Sequence, residues 1–147
     1  MRIRVGIIGA NPDRGWAAQA HIPALQSLPD AFEITALSTS RRESAGAASR
    51  RFGVPLAFDN TQDLVNRADV DVVAITVKVP HHFELATAAL TAGKAVYCEW
   101  PLGNGLLEAE KLAALAKERR PRRGGAAGAL RAAGAVRARP DPPSVCR

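Results

Sequence analysis

The sequence predicts an α/β protein with a Rossmann-like, doubly wound parallel sheet. Three observations support this fold class. Predicted strands alternate with predicted helices through residues 1–118, a glycine-containing turn joins the first strand to the first helix, and residues 71–77 are rich in Val and Ile. In such sheets, ligands bind outside the carboxyl ends of the strands, so residues at those positions are the candidates for function.

The predicted strands have distinct patterns. Residues 1–8 form an apolar run that continues into the turn, and residues 32–38 alternate apolar and polar side chains. Residues 71–77 have the composition of a central strand that is buried on both faces. Shorter strands are predicted at 56–58 and 94–98.

The predicted helices lie between these strands. Helices 42–52 and 82–92 each end before a glycine, a common C-terminal signal. Helix 16–27 contains His21-Ile22-Pro23, which either lies within the helix or interrupts it. Further helices are predicted at 61–66 and 106–118, the second with apolar positions at Leu107, Leu112 and Leu115.

The net charge of +6 is concentrated in the C-terminal segment, because residues 119–147 carry +7 and residues 1–118 carry −1. Segment 119–147 consists mainly of Arg, Ala, Gly and Pro, and it has too little apolar surface to offset the entropy of ordering, so we expect it to be disordered. It is either a basic arm for nucleic acid or anionic surfaces, or the product of out-of-frame translation of a GC-rich gene. We favour the second origin, and do not expect a nucleic-acid partner, because the composition changes abruptly inside an uncapped helix.

Several classes of protein are excluded by composition. A hydrophobic fraction of 47% and a mean hydropathy of −0.07 fit a globular domain. No apolar run approaches the roughly 20 residues that span a bilayer, and the N-terminus lacks the pattern of a signal peptide. Cys98 and Cys146 provide no disulfide framework, and no residues have metal-site spacing. We therefore expect a cytoplasmic protein with no membrane partner and no metal.

The turn after the first strand is the most informative motif. The usual fingerprint, G-x-G-x-x-G, lets amides approach a pyrophosphate at a helix N-terminus. Here Gly9 fills the first position, Asn11 replaces the second glycine, and Gly15 comes one residue late, before Trp16. Among residues other than glycine, Asn best tolerates a left-handed backbone, so its presence is compatible with the fingerprint. We therefore expect these four residues to bind a dinucleotide, with the amides around Asn11 holding its diphosphate. The alternative is an ordinary strand–turn–helix connection.

The segment 38–42, Ser-Thr-Ser-Arg-Arg, follows the second strand, where dinucleotide-binding folds often carry an acid for the ribose hydroxyls. Hydroxyls beside guanidiniums suit a 2′-phosphate better, so NADP is favoured over NAD, with Ser38, Ser40 and Arg41 in the site. The alternative is that Ser40 caps the next helix and the arginines are solvated.

Four candidates follow the central strand: Thr76, Lys78, Pro80 and His82. Pro80 fixes a turn, and His82 begins a helix directed at the crevice. Lys78 contacts a phosphate or ribose, or is simply an exposed lysine. The adjacent histidines do not indicate a metal site, because neighbouring residues on a helix face different directions.

Together these motifs resemble the N-terminal part of the Gfo/Idh/MocA oxidoreductases, two-domain NAD(P)-dependent enzymes that act mostly on sugars and polyols. The resemblance runs from residue 2 to residue 117 and includes segments 20–25, 80–82, 89–94 and 98–102. The last motif normally contains Glu-Lys-Pro, whose lysine lies beside the nicotinamide and the substrate hydroxyl. Here it is Glu99-Trp100-Pro101, so the resemblance implies cofactor contacts for Glu99 and Trp100 but no catalytic lysine.

The turn and Glu99-Trp100 together resemble the branch of that family that contains the fungal repressor of the galactose regulon, which binds a dinucleotide but acts through protein partners. The resemblance also implies a C-terminal substrate domain, which carries the oligomerisation surface, and a final strand of the nucleotide-binding domain. We expect both to be missing, so that residues 1–118 form an NAD(P)-binding domain that is truncated and inactive alone. The alternative is a non-enzymatic regulator with a protein partner.

Overall fold

The computed structural model describes residues 2–119 and the backbone of residues 130–132. Its strands are β1 Ile3–Ile8, β2 Phe32–Ser38, β3 Leu56–Phe58, β4 Val72–Ile75, β5 Ala95–Cys98 and β6 Leu130–Ala132. Its α-helices are α1 Ile22–Gln26, α2 Arg42–Phe52, α3 Thr61–Val65, α4 His82–Thr91 and α5 Leu106–Glu118. A π-helical turn, Ala17–His21, precedes α1, and a 3₁₀ turn, Val79–His81, precedes α4. Among the described residues, no helix is both long enough and apolar enough to cross a membrane.

All six strands are parallel and lie in the order β3-β2-β1-β4-β5-β6. The chain first builds outward from β1 to β3 and then returns to the other side of β1 with β4. The strand order therefore reverses between β1 and β4, and a crevice forms there at the carboxyl ends of the strands. This confirms the predicted Rossmann-like fold.

A short sixth strand lies beside β5, where we expected the last strand of the domain to be missing. Leu130–Ala132 pairs with β5 in parallel, with Leu130 opposite Val96. These residues lie inside segment 119–147, for which we expected disorder. Local composition did not indicate this strand, because a three-residue edge strand depends on the neighbour it pairs with rather than on its own sequence. The rest of that segment, residues 120–129 and 133–147, lies outside the described residues.

Alternate side chains of each strand point to opposite faces of the sheet, and helices bury both faces. Ile7 and Leu37 pack with Ile22 and Ala48 on the face covered by α1 and α2. The other face packs against α3, α4 and α5 and is centred on Val73, Ile75, Leu64, Leu90 and Leu112. Of the apolar positions predicted in α5, Leu112 is buried and Leu115 is partly buried, but Leu107 is 65% exposed.

The first helical segment changes geometry at His21-Ile22-Pro23. The Ile22 amide donates to the Ala17 carbonyl, a bond that spans five residues and defines the π turn. Pro23 lacks an amide hydrogen, and its ring would crowd the carbonyl four residues earlier in a regular helix. The wider turn accommodates this ring, so the motif interrupts the predicted helix rather than lying within it.

A charged network closes the amino edge of the sheet. Arg4 binds the Asp71 carboxylate through its backbone amide, Nε and a terminal nitrogen at 2.9, 3.0 and 2.6 Å. Lys94 donates its ammonium to the carbonyls of Arg67 and Val70. The hydrogen bonds from Arg4 lower the pKa of Asp71, and partial burial lowers the pKa of Lys94.

Candidate functional site

A cleft of about 730 Å³ lies at the carboxyl ends of β1, β2, β4 and β5. Its volume falls within the range of sites for small molecules and cofactors. Ten of the thirteen predicted site residues line it: Gly9, Asn11, Gly15, Trp16, Ser38, Ser40, Arg41, Thr76, Lys78 and Glu99. The other three, Pro80, His82 and Trp100, do not.

The two glycines of the turn after β1 have positive φ, but only one of them lies close to neighbouring atoms. Gly9 has φ +94°, and a Cβ there would lie 2.7 Å from Val77 Cγ1 and 2.8 Å from the Thr76 carbonyl oxygen. Gly15 has φ +97°, but nothing lies within 4 Å of the position its Cβ would take. Gly9 is therefore required by packing against the end of β4, whereas Gly15 leaves open space where the helical segment begins.

Asn11 has a different role from the one predicted. No non-glycine residue in the described part of the chain has positive φ, so Asn11 does not substitute for glycine in a left-handed position. Its side-chain Oδ1 instead accepts hydrogen bonds from the amides of Asp13 and Arg14, at 2.9 and 3.2 Å. The Asn11 side chain thereby closes the loop as an Asx turn.

These bonds move the candidate anion site along the chain. The amides of Gly9 and Ala10 donate to the Ser38 carbonyl, and the Asn11 amide donates to Gly9. The amides of Asp13 and Arg14 already donate to Asn11 Oδ1, and Pro12 has no amide hydrogen. Among the described residues, the amides of Gly15 and Trp16 have no hydrogen-bond partner. They are better placed to meet a phosphate than the amides around Asn11.

The end of β2 forms a hydroxyl-rich loop beside a cation. The Thr39 hydroxyl lies 2.6 Å from that of Ser44, and both hydroxyls donate to the Arg41 carbonyl. Helix α2 has Arg41 as its N-cap and no side-chain cap bond, so Ser40 does not cap it. Ser40 and Arg41 are exposed and line the cleft, which Asp59 and Asn60 border beyond β3.

The end of β4 directs its two histidines in opposite ways. His82 is only 1% exposed, and its ring nitrogens lie 2.8 Å from the carbonyl oxygens of Val77 and Pro101. Neither nitrogen is left for a ligand. The exposed His81 lines the cleft instead, as do Lys78 and Glu84. Pro80 shapes the 3₁₀ turn that separates these orientations.

Sequence reasoning missed several residues that line the cleft, chiefly Arg14, Asp59, His81 and Glu84. A signal in the sequence was available for His81. Successive residues of a helical turn point about 100° apart, so His81 and His82 cannot both be buried in the same direction.

The end of β5 places Glu99 in the cleft. Its Oε1 accepts a hydrogen bond from His21 Nε2 at 2.7 Å, and the His21 ring packs edge-on against Tyr97, with ring centroids 5.5 Å apart. Cys98 points the other way into the core, where burial raises the pKa of its thiol to about 12, so the reactive thiolate is scarce at neutral pH. Trp100 is 72% exposed.

The site contains cations without internal partners. Within residues 2–119, Arg14, Arg41 and Lys78 form no ion pair, although all three line the cleft. The same residues contain no group of three His, Cys, Asp or Glu side chains arranged to hold a metal ion. These cations and the amides of Gly15 and Trp16, unpartnered within the same residues, together offer positive charge and hydrogen-bond donors, which suit phosphate groups.

Comparison with known proteins agrees with this geometry. A family model for oxidoreductases with an NAD-binding Rossmann fold matches residues 3–122. The chain belongs to the Gfo/Idh/MocA family. This confirms the resemblance predicted from the motifs, and the family is an NAD-binding one.

Among curated relatives, the chain is 42% identical over 123 residues to the dehydrogenase aclE of Aspergillus oryzae, covering 80% of this chain and 34% of that protein. It is 31% identical over 125 residues to GAL80 of Saccharomyces cerevisiae, a regulatory protein of galactose and lactose metabolism, covering 80% of this chain and 29% of that protein. The chain thus spans about a third of the length of these relatives.

Among solved structures, the 3-ketoreductase KijD10 of Actinomadura kijaniata, in complex with NADP and TDP-benzene, superposes with a TM-score of 0.74 at 36% identity. The match covers 81% of this chain and 35% of that one. The relatives of this Gfo/Idh/MocA member thus include reductases, dehydrogenases and a metabolic regulatory protein.

Proposed function

We propose that this chain binds NADP, and NAD more weakly, in the cleft at the carboxyl edge, as the dinucleotide-binding domain of an oxidoreductase that acts on sugars or polyols. One observation carries the proposal. Three cations that form no ion pair within residues 2–119, Arg14, Arg41 and Lys78, line the same cleft as Gly15, at the edge where the strand order reverses. The diphosphate and the 2′-phosphate of the cofactor would together neutralise these charges, and the diphosphate would accept hydrogen bonds from the amides of Gly15 and Trp16.

The preference for NADP rests on the end of β2. Arg41 and Ser40 are exposed there, and the structure shows no carboxylate on that loop to accept the ribose hydroxyls of NAD. The acids that line the cleft lie on other segments, and Asp59 follows the next strand, β3. A guanidinium can bind a 2′-phosphate with two parallel hydrogen bonds, so it favours the phosphorylated cofactor.

We also propose that the chain alone does not turn over substrate. The family motif normally supplies a lysine beside the nicotinamide, and here that position is Trp100. An indole neither carries a charge nor transfers a proton. Loss of one charge-assisted hydrogen bond costs about 1.5–3 kcal/mol, or roughly ten- to a hundredfold in rate, even before proton transfer is considered. When bound, the dinucleotide would supply hydride chemistry, and the residues described here would bind and orient it.

Isothermal titration calorimetry with NADPH and NADH tests the binding proposal. We expect saturable binding of both, with the tighter dissociation constant for NADPH. Binding that stays undetectable up to millimolar cofactor would contradict the proposed function. A dissociation constant at least as low for NADH would contradict the preference for NADP but leave dinucleotide binding intact.

A second candidate is a non-enzymatic regulator that binds a dinucleotide and acts through a protein partner. Trp100 in the lysine position favours it, as does the 31% identity to GAL80. An assay with NADP⁺ and a panel of sugars and polyols, following absorbance of the reduced cofactor, tests the regulator directly. Turnover by this chain would exclude the regulator and would also contradict our proposal that the chain is inactive alone.

A further inference from the structure

A hydrogen-bonded pair connects the first helical segment to the end of β5. His21 Nε2 and Glu99 Oε1 lie 2.7 Å apart, although the residues are 78 positions apart in the chain. Because a carboxylate oxygen can only accept, the ring nitrogen is the donor. The His21 and Glu99 side chains are 22% and 19% exposed, so water screens this bond less than it would a surface pair.

The π turn and Tyr97 hold the His21 ring in place. His21 is the last residue of the turn that Pro23 imposes, and the next residue begins α1. Its ring packs edge-on against Tyr97, which lies two residues before Glu99. Side chains two residues apart on extended backbone point to the same face, so β5 presents Tyr97 and Glu99 together to His21.

The backbone of Glu99 is fixed by the sheet, whereas one of its carboxylate oxygens has no partner within residues 2–119. Its amide donates to the Ile75 carbonyl at 3.4 Å, continuing the ladder between β5 and β4. Oε1 is taken by His21, while the described part of the chain supplies no hydrogen-bond partner for Oε2. Glu99 lines the cleft, so this second oxygen is available to a bound molecule.

The position of Glu99 in the sheet determines which part of a dinucleotide can reach it. The cleft runs from Arg41 at the end of β2, past Gly15 beside β1, to Glu99 at the end of β5. If the phosphates lie near the cations and the Gly15 amide, the nicotinamide riboside lies toward Glu99. That half carries hydroxyl and carboxamide hydrogens, and a carboxylate needs such donors.

We propose that His21 is a positioning residue for the nicotinamide half of the dinucleotide. It fixes one oxygen of Glu99 so that the other meets the hydroxyl or carboxamide donors of the ligand. His21 itself does not line the cleft, so it would act through Glu99 rather than by touching the ligand. This inference rests on the proposed dinucleotide binding, and it adds a residue and a contact to that site.

Two ligands separate the halves of the site: NADP⁺, and 2′-phospho-ADP, which lacks the whole nicotinamide riboside. Calorimetry gives the dissociation constant of each for the wild-type chain, His21→Leu, His21→Gln and Glu99→Gln. We expect His21→Leu and Glu99→Gln to weaken NADP⁺ binding about tenfold, the loss of one hydrogen bond to a charged group, and to change 2′-phospho-ADP binding less than twofold.

The conservative variant gives a readout that general loosening of the fold would not produce. The amide nitrogen of glutamine can occupy the place of His21 Nε2, so His21→Gln should recover most of the NADP⁺ affinity that His21→Leu loses. Thermal melts followed by circular dichroism identify any variant that fails to fold. Glu99→Gln keeps the size of the side chain, so it remains informative if the His21 variants unfold.

The outcomes distinguish this inference from the function on which it rests. Equal losses for both ligands would make His21 a purely structural residue and overturn the inference, as would unchanged NADP⁺ affinity. In either case dinucleotide binding would stand. Failure of the wild-type chain to bind either ligand would overturn the proposed function and the inference together.

Discussion

The two edges of the sheet use their charged side chains in opposite ways. At the amino edge, Arg4 and Asp71 bind each other, and Lys94 binds two backbone carbonyls. At the carboxyl edge, Arg14 and Arg41 line an open cleft and form no ion pair within residues 2–119. Charges satisfied inside the protein contribute to stability, whereas charges that face a cleft remain available to a ligand.

We therefore expect substitutions at the two edges to have opposite effects on stability and on binding. Substitutions at the amino edge should change the free energy of unfolding but not cofactor affinity, and substitutions at the carboxyl edge should do the reverse. His82 is the exception, because it lies near the carboxyl edge but both of its ring nitrogens contact carbonyl oxygens.

The largest effect is expected for His82→Leu, which removes both of these contacts in a buried position. At least one of the two carbonyls would lose its N–H donor, and a ring packed in the core would be replaced by a side chain of another shape, so we expect the free energy of unfolding to fall by about 2–4 kcal/mol. Urea denaturation measures it. The matched control is His81→Ala, since His81 is exposed and should change stability by less than about 0.5 kcal/mol. Equal effects for the two histidines would contradict the assignment.

Arg41→Ala should give the next effect, on binding alone. Loss of a charge-assisted contact with a phosphate corresponds to about 1.5–3 kcal/mol, so NADPH should bind roughly ten- to a hundredfold more weakly. NADH should lose much less, because it has no 2′-phosphate. Arg42→Ala is the control, since Arg42 does not line this cleft. A lower urea midpoint in Arg41→Ala would argue against the division between the two edges.

Lys94→Met tests the amino edge. The variant leaves the carbonyls of Arg67 and Val70 without their ammonium donor, so we expect destabilisation of about 1–3 kcal/mol and an unchanged dissociation constant for NADPH. Lys111→Met on the exposed side of α5 is the matched control and should be nearly neutral. A loss of affinity in folded Lys94→Met would show that the edges are coupled.

The smallest effect concerns pH. Hydrogen bonds from Arg4 hold the pKa of Asp71 below its ordinary value of 3.8, so the stabilisation is present above pH 3.8 and is lost as pH falls through the folded-state pKa. Because the ion pair is partly exposed, we expect Asp71→Asn to cost about 1 kcal/mol or less at pH 6. Urea midpoints between pH 6 and 3 should fall less steeply in the variant, and identical slopes would contradict this.

Local sequence patterns predicted most of the fold. The bounds of β2, β3, α2 and α5 agree with the structure, and Gly53 and Gly93 have the positive φ expected after helices. Periodicity and glycine placement are properties of a few consecutive residues, so a single sequence reveals them. β6 was missed because it depends on pairing with β5, and the π turn because Pro23 permits several distortions.

The candidate site was predictable in position but not in detail. The strand ends were identified because parallel strands bring their carboxyl ends to one edge. Three details depend on three-dimensional contacts that leave no local pattern. They are the hydrogen bonds that Asn11 Oδ1 accepts from backbone amides, the inward direction of His82, and the hydrogen bond from His21 to Glu99. The family motif placed Glu99 near a ligand, but nothing in the sequence connected it to His21.

The placement of the two tryptophans has an optical consequence. Trp16 lines the cleft and Trp100 does not, and their side chains are 64% and 72% exposed. Indole emission overlaps the absorption of a reduced nicotinamide, and energy transfer between them falls steeply with distance. Single-tryptophan versions, Trp16→Phe and Trp100→Phe, therefore provide two local emitters in one polypeptide, and the ratio of their transfer efficiencies reports the orientation of the bound coenzyme without any added dye.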